Sequence, residues 1–210
     1  MKPRILAVFV CTALGCVAQP WNIGGAVGYG AYRNGSLKSG AGSATAGIEN
    51  HFALSAWIGE DLYDRWGGEL RYSFQNGGPF VESGGVRTAM AGKTHAIHFD
   101  ILRYFAPKDA KIRPYASGGL GAKWFVVTGA QPMIQPLRAI GLLTAVNQVK
   151  PVISLGGGAK IEIAPHLRVR VDMRDYISPM PANIFTPVLG GKASGLFHQF
   201  TPTVGIDFTI

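Results

Sequence analysis

Apolar and polar positions alternate with a period of two along most of this chain, the signature of strands whose successive side chains point to opposite faces. The C-terminal stretch shows it most cleanly. Phe200, Pro202, Val204, Ile206, Phe208 and Ile210 share one face, and Gln199, Thr201, Thr203, Gly205, Asp207 and Thr209 the other. Leu167, Val169, Val171 and Met173 alternate with Arg168, Arg170, Asp172 and Arg174. Leu70, Tyr72 and Phe74 alternate with Glu69, Arg71, Ser73 and Gln75, and Ile97, Phe99 and Ile101 with His98 and Asp100. Ile48, Phe52, Leu54, Ala56 and Ile58 oppose Glu49, His51 and Ser55, while Ile153, Leu155, Ile161 and Ile163 oppose Ser154, Lys160 and Glu162. Two glycine-rich stretches, about 21–33 and 114–127, bring the number of predicted strands to eight. Each is roughly 9 to 13 residues long, enough for a tilted strand to cross a bilayer.

The connections alternate in length as well. Those at about 34–46, 76–92, 128–150 and 178–197 are long, whereas the turns near 60–65, 106–113 and 164–166 are short. In an up-and-down barrel, alternate connections fall on opposite ends, and outer-membrane barrels keep short turns on the periplasmic side and long loops outside. The pattern therefore predicts an all-β fold, an eight-stranded antiparallel up-and-down transmembrane β-barrel with both termini at the short-turn end. The connection at 128–150 is unusually apolar (Met133, Ile134, Leu137, Ile140, Leu142, Leu143, Val146, Val149). The spacing of Ile140, Leu143 and Val146 predicts a short helix over the barrel mouth, with a lipid-contacting or partner-binding patch as the alternative.

Alternation alone does not say which face points inward, since a soluble lipocalin-type barrel would carry its apolar face inside. Charge decides. Only 15% of residues are charged, well below the quarter or so usual for soluble domains. The polar face carries both signs in balance: Glu49, Glu69, Asp100, Glu162, Asp172 and Asp207 against Arg71, Lys123, Lys160, Arg168, Arg170 and Arg174. Six charges of each sign can pair within a narrow lumen, where an unpaired ion would be expensive. Aromatic residues near strand ends (Tyr29, Trp57, Trp66, Phe74, Tyr104, Trp124, Tyr176 and Phe208) are assigned to interfacial girdles on the lipid side.

Met1 to Arg4 is a short basic start, Ile5 to Val17 is apolar, and small residues precede Gln19. This reads as a signal peptide over residues 1–18, cleaved after Ala18, followed by one barrel domain over 19–210. Acylation of Cys16 is the competing reading; against it stands Ala13, where lipoprotein signals usually carry Leu, Val or Ile. Cys11 and Cys16 both fall in the leader, so cleavage after Ala18 leaves no thiol or disulfide. The formal charge of +8 falls to +6 once Lys2 and Arg4 are removed with the leader. Basic residues are scattered and form no run, which argues against nucleic-acid binding.

No catalytic, metal or cofactor site is expected. His95 and His98 are three apart and point to opposite faces of a strand. His51, His98 and Asp100 could meet in the lumen, but as polar filling rather than as a metal or proton site. The glycine clusters at Gly24-Gly25, Gly118-Gly119 and Gly156-Gly157-Gly158 precede neither Lys-Ser/Thr nor a helix pattern, so they do not read as phosphate loops.

Three motifs, in order, resemble the small OmpA-like outer-membrane barrels that lack a periplasmic peptidoglycan-binding domain. Pro114-Tyr-Ala-Ser-Gly-Gly-Leu-Gly-Ala is similar to their Pro-Tyr-x-x-x-Gly-x-Gly strand start. Gly156-Gly-Gly-Ala-Lys-Ile-Glu, continuing to Ala164-Pro-His-Leu-Arg-Val-Arg-Val-Asp-Met-Arg, resembles their glycine strand, turn and seventh strand. Phe200-Thr-Pro-Thr-Val-Gly-Ile-Asp-Phe resembles their closing strand. The chain departs from them in ending Phe208-Thr209-Ile210 rather than in Phe or Trp, and in placing Pro202 within the last strand, where a bulge near the outer rim is expected. The resemblance implies export to a bacterial outer membrane, folding by the barrel-insertion machinery, and contact with outer-membrane lipid and lipopolysaccharide. The expected role is structural or surface-interactive and non-catalytic, with an unidentified partner at the loops. A narrow passive channel for ions or small solutes is the alternative; of the lipid-modifying enzymes, a lipid A deacylase would carry His-x-Ser beside an acidic partner, and this chain has no His-x-Ser.

Overall fold

A computed structural model describes residues 20–188 and 190–210. The leader assigned to 1–18, with both cysteines, lies outside the described residues. Among the described residues fifteen strands form: β1 (Trp21–Arg33), β2 (Gly35–Ser39), β3 (Gly42–Ile48), β4 (His51–Tyr63), β5 (Trp66–Asn76), β6 (Pro79–Ser83), β7 (Val86–Ala89), β8 (Gly92–Tyr104), β9 (Ile112–Val127), β10 (Gly141–Leu143), β11 (Gln148–Ala164), β12 (Leu167–Pro179), β13 (Phe185–Pro187), β14 (Lys192–Ser194) and β15 (Leu196–Thr209). Eight of them close into an antiparallel barrel in the order β1-β15-β12-β11-β9-β8-β5-β4. Closure leaves no free edge in the wall, as a bilayer requires.

The faces fall as a membrane barrel demands. Ile101 and Leu120 are 55% and 70% exposed on the outer wall, whereas Arg71 and Arg113 are fully buried inside. A soluble lipocalin-type barrel would show the reverse. Short turns join β4 to β5, β8 to β9, and β11 to β12. At one of them the Lys108 amide donates to Asp64 Oδ1 at 3.0 Å. This bond, with Arg65 beside it, holds the Asp64 carboxyl below the usual carboxylate range. His166 takes a φ of 65° in the two-residue turn before β12.

The long connections are partly ordered. They fold into a five-stranded sheet in the order β14-β2-β3-β6-β7 and a two-stranded pair, β10-β13. Between these sheets and the barrel mouth lies an apolar core. Leu37, Ala46, Val81, Ile184 and Phe185 from the cap pack with Tyr32, Phe125 and Phe197 from the strand ends. Phe197 sits at its centre, with Tyr32, Phe125 and Phe185 set edge-on around it at centroid distances of 6.0, 6.4 and 5.9 Å. Such offset ring pairs add to the area they bury.

The helix expected within 128–150 does not form. Ile140 closes a turn, its amide donating to Leu137 O at 2.8 Å, and Leu143 continues into β10, paired with Phe185 of β13. The Gln135 side chain makes this extended course satisfiable. It accepts from Leu143 N at 2.8 Å and donates to Leu143 O at 2.9 Å, standing in for a neighbouring strand. Three apolar residues at helical spacing are outweighed by a side chain that pairs the backbone in extended form.

The bulge expected at Pro202 is also absent. β12 and β15 keep one register through Met173 and Pro202. The ladder between β15 and β1 instead lapses beside Pro202, between the Gly28–Thr203 and Ala31–Phe200 pairs, and resumes in the same register. One missing donor costs a local gap in the ladder, which the closed wall absorbs.

Candidate functional site

The lumen is the most highly organised polar region of the chain. Its charges come from strands whose inward positions the alternation sets: Glu69 and Arg71 on β5, His98 and Asp100 on β8, and Arg170, Asp172 and Arg174 on β12. Glu69 and Asp100 stand directly opposite each other across the β5–β8 ladder. Two like charges so placed repel, and the far wall supplies the remedy.

Arg174 of β12 reaches across to Asp100, donates to Asp172 from Nε at 2.8 Å, and lies 3.5 Å from Glu69. Arg170 pairs with Glu69 and, at 3.0 Å, with Asp172. Arg71 donates to Glu69 at 2.8 Å and approaches Asp172 at 3.2 Å. Three carboxylates and three guanidiniums thus form one neutral cluster. Tyr115 donates to Asp172 and accepts from Arg170 Nε at 2.6 Å, and His98 Nδ1 lies 3.0 Å from Asp100.

Towards the short turns, Lys160 pairs with Asp207 at 2.9 Å, and the same carboxylate accepts from the Trp57 indole at 2.7 Å. Further down, Arg113 and Asp61 pair at 2.5 Å, with the guanidinium 3.8 Å above the Tyr104 ring. Towards the long connections, Lys123 donates to Gln199 and lies 4.6 Å from the Tyr32 ring. Above that level the apolar core of the cap begins.

Several residues assigned to the interior network lie elsewhere. Glu49 falls beyond the end of β3 and pairs with Arg87 at 2.8 Å on the cap surface. Glu162 is exposed and Arg168 half-buried at the short-turn rim, and no ion pair among the described residues engages either. Both keep inward parity, but the lumen has ended at that height. Lys123 is held by an amide and aromatic rings, not by a carboxylate in direct contact.

Asp61 and Arg113 escape the sequence reading because it draws the turns too wide. β4 runs on to Tyr63 and β9 begins at Ile112, which brings both residues into the wall.

Three girdle assignments are corrected too. Trp57, Tyr104 and Tyr176 are 4%, 1% and 2% exposed and point into the lumen. Trp57 stacks under Arg71 and Arg170 at 4.6 and 4.5 Å, and the Tyr176 hydroxyl shares a 2.8 Å hydrogen bond with Ser73. Their parity already said so: Trp57 matches Ser55, Tyr104 matches Asp100, and Tyr176 matches Asp172 and Arg174. Tyr29, Trp66 and Phe208 project from the outer wall, with Phe74 and Trp124 half-buried on it. His51 is exposed at the rim and does not meet His98. His95 faces outward, where its Nδ1 lies 2.7 Å from the Tyr72 hydroxyl.

The Trp57 ring needs room, and Gly24 provides it. A Cβ at position 24 would collide with the ring and sit 2.5 Å from the Ile206 carbonyl. Gly24→Ala is therefore expected to cost about 1–3 kcal/mol, as overpacking does. Urea unfolding in lipid vesicles reads this directly. Unchanged stability would mean that the indole is not held against that backbone.

No family model and no curated protein matches the sequence. Solved structures do match. Neisserial surface protein A superposes with a TM-score of 0.54 at 12% identity, over 90% of this chain and 96% of that one. A major outer membrane protein from Thermus thermophilus gives 0.52 at 11% identity, over 90% and 99%. AlkL, an outer membrane protein determined in DMPC bilayers, gives 0.52 at 11% identity, over 100% and 97%. At these identities the likeness is one of fold. The protein has the fold of the small eight-stranded outer-membrane β-barrels, closed and antiparallel.

Proposed function

We propose that this protein is a sealed, non-catalytic barrel of a bacterial outer membrane, and that its long-loop face meets the anionic lipopolysaccharide surface around it. The observation that carries the reading is double closure. A neutral ionic cluster fills the lumen, and a separate apolar core lies across its mouth. Eight strands enclose a bore that side chains can just fill, which leaves the loop face free to act.

Charge supports the same face. Arg33, Lys38, Arg87, Lys93, Arg138, Lys150 and Lys192 lie in or next to the long connections, with only Glu49 and Glu82 opposing them. That is a formal +5 of the +6 carried by residues 19–210. A surface of this sign attracts lipid phosphates across a screening length of about 10 Å at 0.1 M salt.

Folded protein is expected to bind vesicles containing phosphorylated lipopolysaccharide, with affinity falling as salt rises, and to be silent in planar bilayers. Steady single-channel conductance would establish the narrow channel instead. Equal binding to neutral vesicles would remove the anionic partner.

A further inference from the structure

The outer wall carries a groove of about 730 Å³ that crosses four neighbouring strands, from Val27 and Tyr29 of β1 over Pro202 of β15 and Met173 of β12 to Gly157 and Ala159 of β11. Its cause is a step in side-chain size. Gly157 and Ala159 pair across the β11–β12 ladder with Met173 and Val171, so the wall falls from a projecting side chain to little or none. Gly157 is also required by the backbone, since a Cβ there would lie 2.8 Å from Tyr115 O. The volume lies within the ~300–1,000 Å³ typical of small-molecule sites.

The wall above the groove is not apolar. Towards the long connections β1 continues from Tyr29 through Ala31 to Arg33, about 13 Å further along the strand at ~3.3 Å per residue. Arg33 is exposed and shares the outward parity of Val27 and Tyr29, and its guanidinium has no ion pair among the described residues. Its partner across the ladder is His198 of β15. The His198 ring stacks on Phe200 at 6.1 Å, and its Nδ1 lies 2.8 Å from Asp175 of β12. The outward carboxylate of Asp175 is thus engaged by the imidazole, and Arg33 is left to meet an anion from outside the chain.

We infer that the groove and Arg33 together hold one lipid A of the surrounding lipopolysaccharide, with an acyl chain along the groove and a phosphate on the guanidinium. The inference rests on the reading of the long-loop end as outward, which puts this half of the wall in the outer leaflet. The groove opens on the lipid side of the barrel, so hydrocarbon is what reaches it. A guanidinium recognises phosphate by paired, charge-assisted hydrogen bonds, and an unmatched one at the head of an apolar groove fits an amphiphile with an anionic head. A second copy of this chain fits less well. Seated there in the same membrane orientation, it would bring its own Arg33 at the same depth, and the two cations would repel.

The test uses folded full-length protein in detergent micelles free of lipopolysaccharide, mixed with lipid A, and native mass spectrometry reads the lipid retained. One lipid A per chain is expected, retained at least fivefold more than phosphatidylcholine or phosphatidylglycerol. Ala159→Phe fills the groove and Arg33→Gln removes the partner of the phosphate. Each should lower retention at least fivefold while heat-modifiable gel mobility is kept. Stripping the phosphates from lipid A should weaken its retention by the parent and make no further difference to Arg33→Gln. Ala122→Phe and Lys93→Gln, which lie outside the groove, should behave as the parent does. Should one groove variant lose gel mobility, the other decides together with the phosphate-stripped lipid.

Retention that survives in the folded variants, or that does not exceed the retention of phosphatidylcholine, overturns the site. Equal retention of phosphatidylglycerol overturns the assignment to lipid A. A barrel dimer that Ala159→Phe breaks would give the groove to a second copy instead. Salt-sensitive vesicle binding by the loop face is measured separately, so its failure and the failure of the groove are told apart.

Discussion

Glu69→Ala should destabilise the folded barrel by about 3–5 kcal/mol, the usual cost of removing one partner from a buried ionic cluster. Glu69 touches Arg71, Arg170 and Arg174, and its side chain is almost wholly buried. Its removal leaves three guanidiniums facing Asp100 and Asp172, with one positive charge unmatched in a closed lumen. The expected signs are a lower urea midpoint in lipid vesicles and loss of heat-modifiable mobility at a lower temperature. Glu49→Ala is the matched control. Glu49 also pairs with an arginine, but both side chains are about 40% exposed, and pairs of that kind contribute ~0–1 kcal/mol. If the two variants lose equal stability, the lumen cluster is not the buried, mutually dependent unit described above.

The second large effect belongs to the opposite face of the same wall. Val171 lies near the middle of β12, between Arg170 and Asp172, and is 47% exposed on the outer surface. Val171→Arg should cost about 2–4 kcal/mol, as a cation does at the midplane on the lipid side of a barrel. The same change at Val86, an exposed residue of the cap, should stay within about 0.5 kcal/mol, as surface substitutions usually do. Parallel urea titrations of the two variants in vesicles would settle the matter. Comparable small losses at both sites would mean that the outer wall of β12 does not face hydrocarbon.

Both predictions concern residues whose direction is readable from alternation once the charge pattern has fixed which face is inward, and this explains where sequence reasoning succeeds and fails. Arg170, Asp172 and Arg174 are assigned inward because Val169, Val171 and Met173 separate them. Trp57, Tyr104 and Tyr176 are misassigned when residue type is allowed to override parity. An aromatic ring near a strand end suggests a girdle, yet here three such rings carry hydrogen bonds and cation contacts inside the lumen. Gln135 illustrates a different failure. Nothing in its neighbourhood marks it as a surrogate strand, because its partner Leu143 comes into register only once β10 has found β13.

The order of polar and apolar residues is enough to determine the number of barrel strands, their approximate extents, the side each residue faces and the end that carries the long connections. These follow from the geometry of one strand, in which every second side chain returns to the same face. Only the closed structure decides which charges meet, since Arg174 touches Asp100 across the bore and closure alone brings them together. The cap is likewise decided in three dimensions. Leu37, Val81, Leu143, Phe185 and Phe197 come from segments far apart in the chain, and their burial depends on four loops converging over one mouth, a coincidence that no local period records.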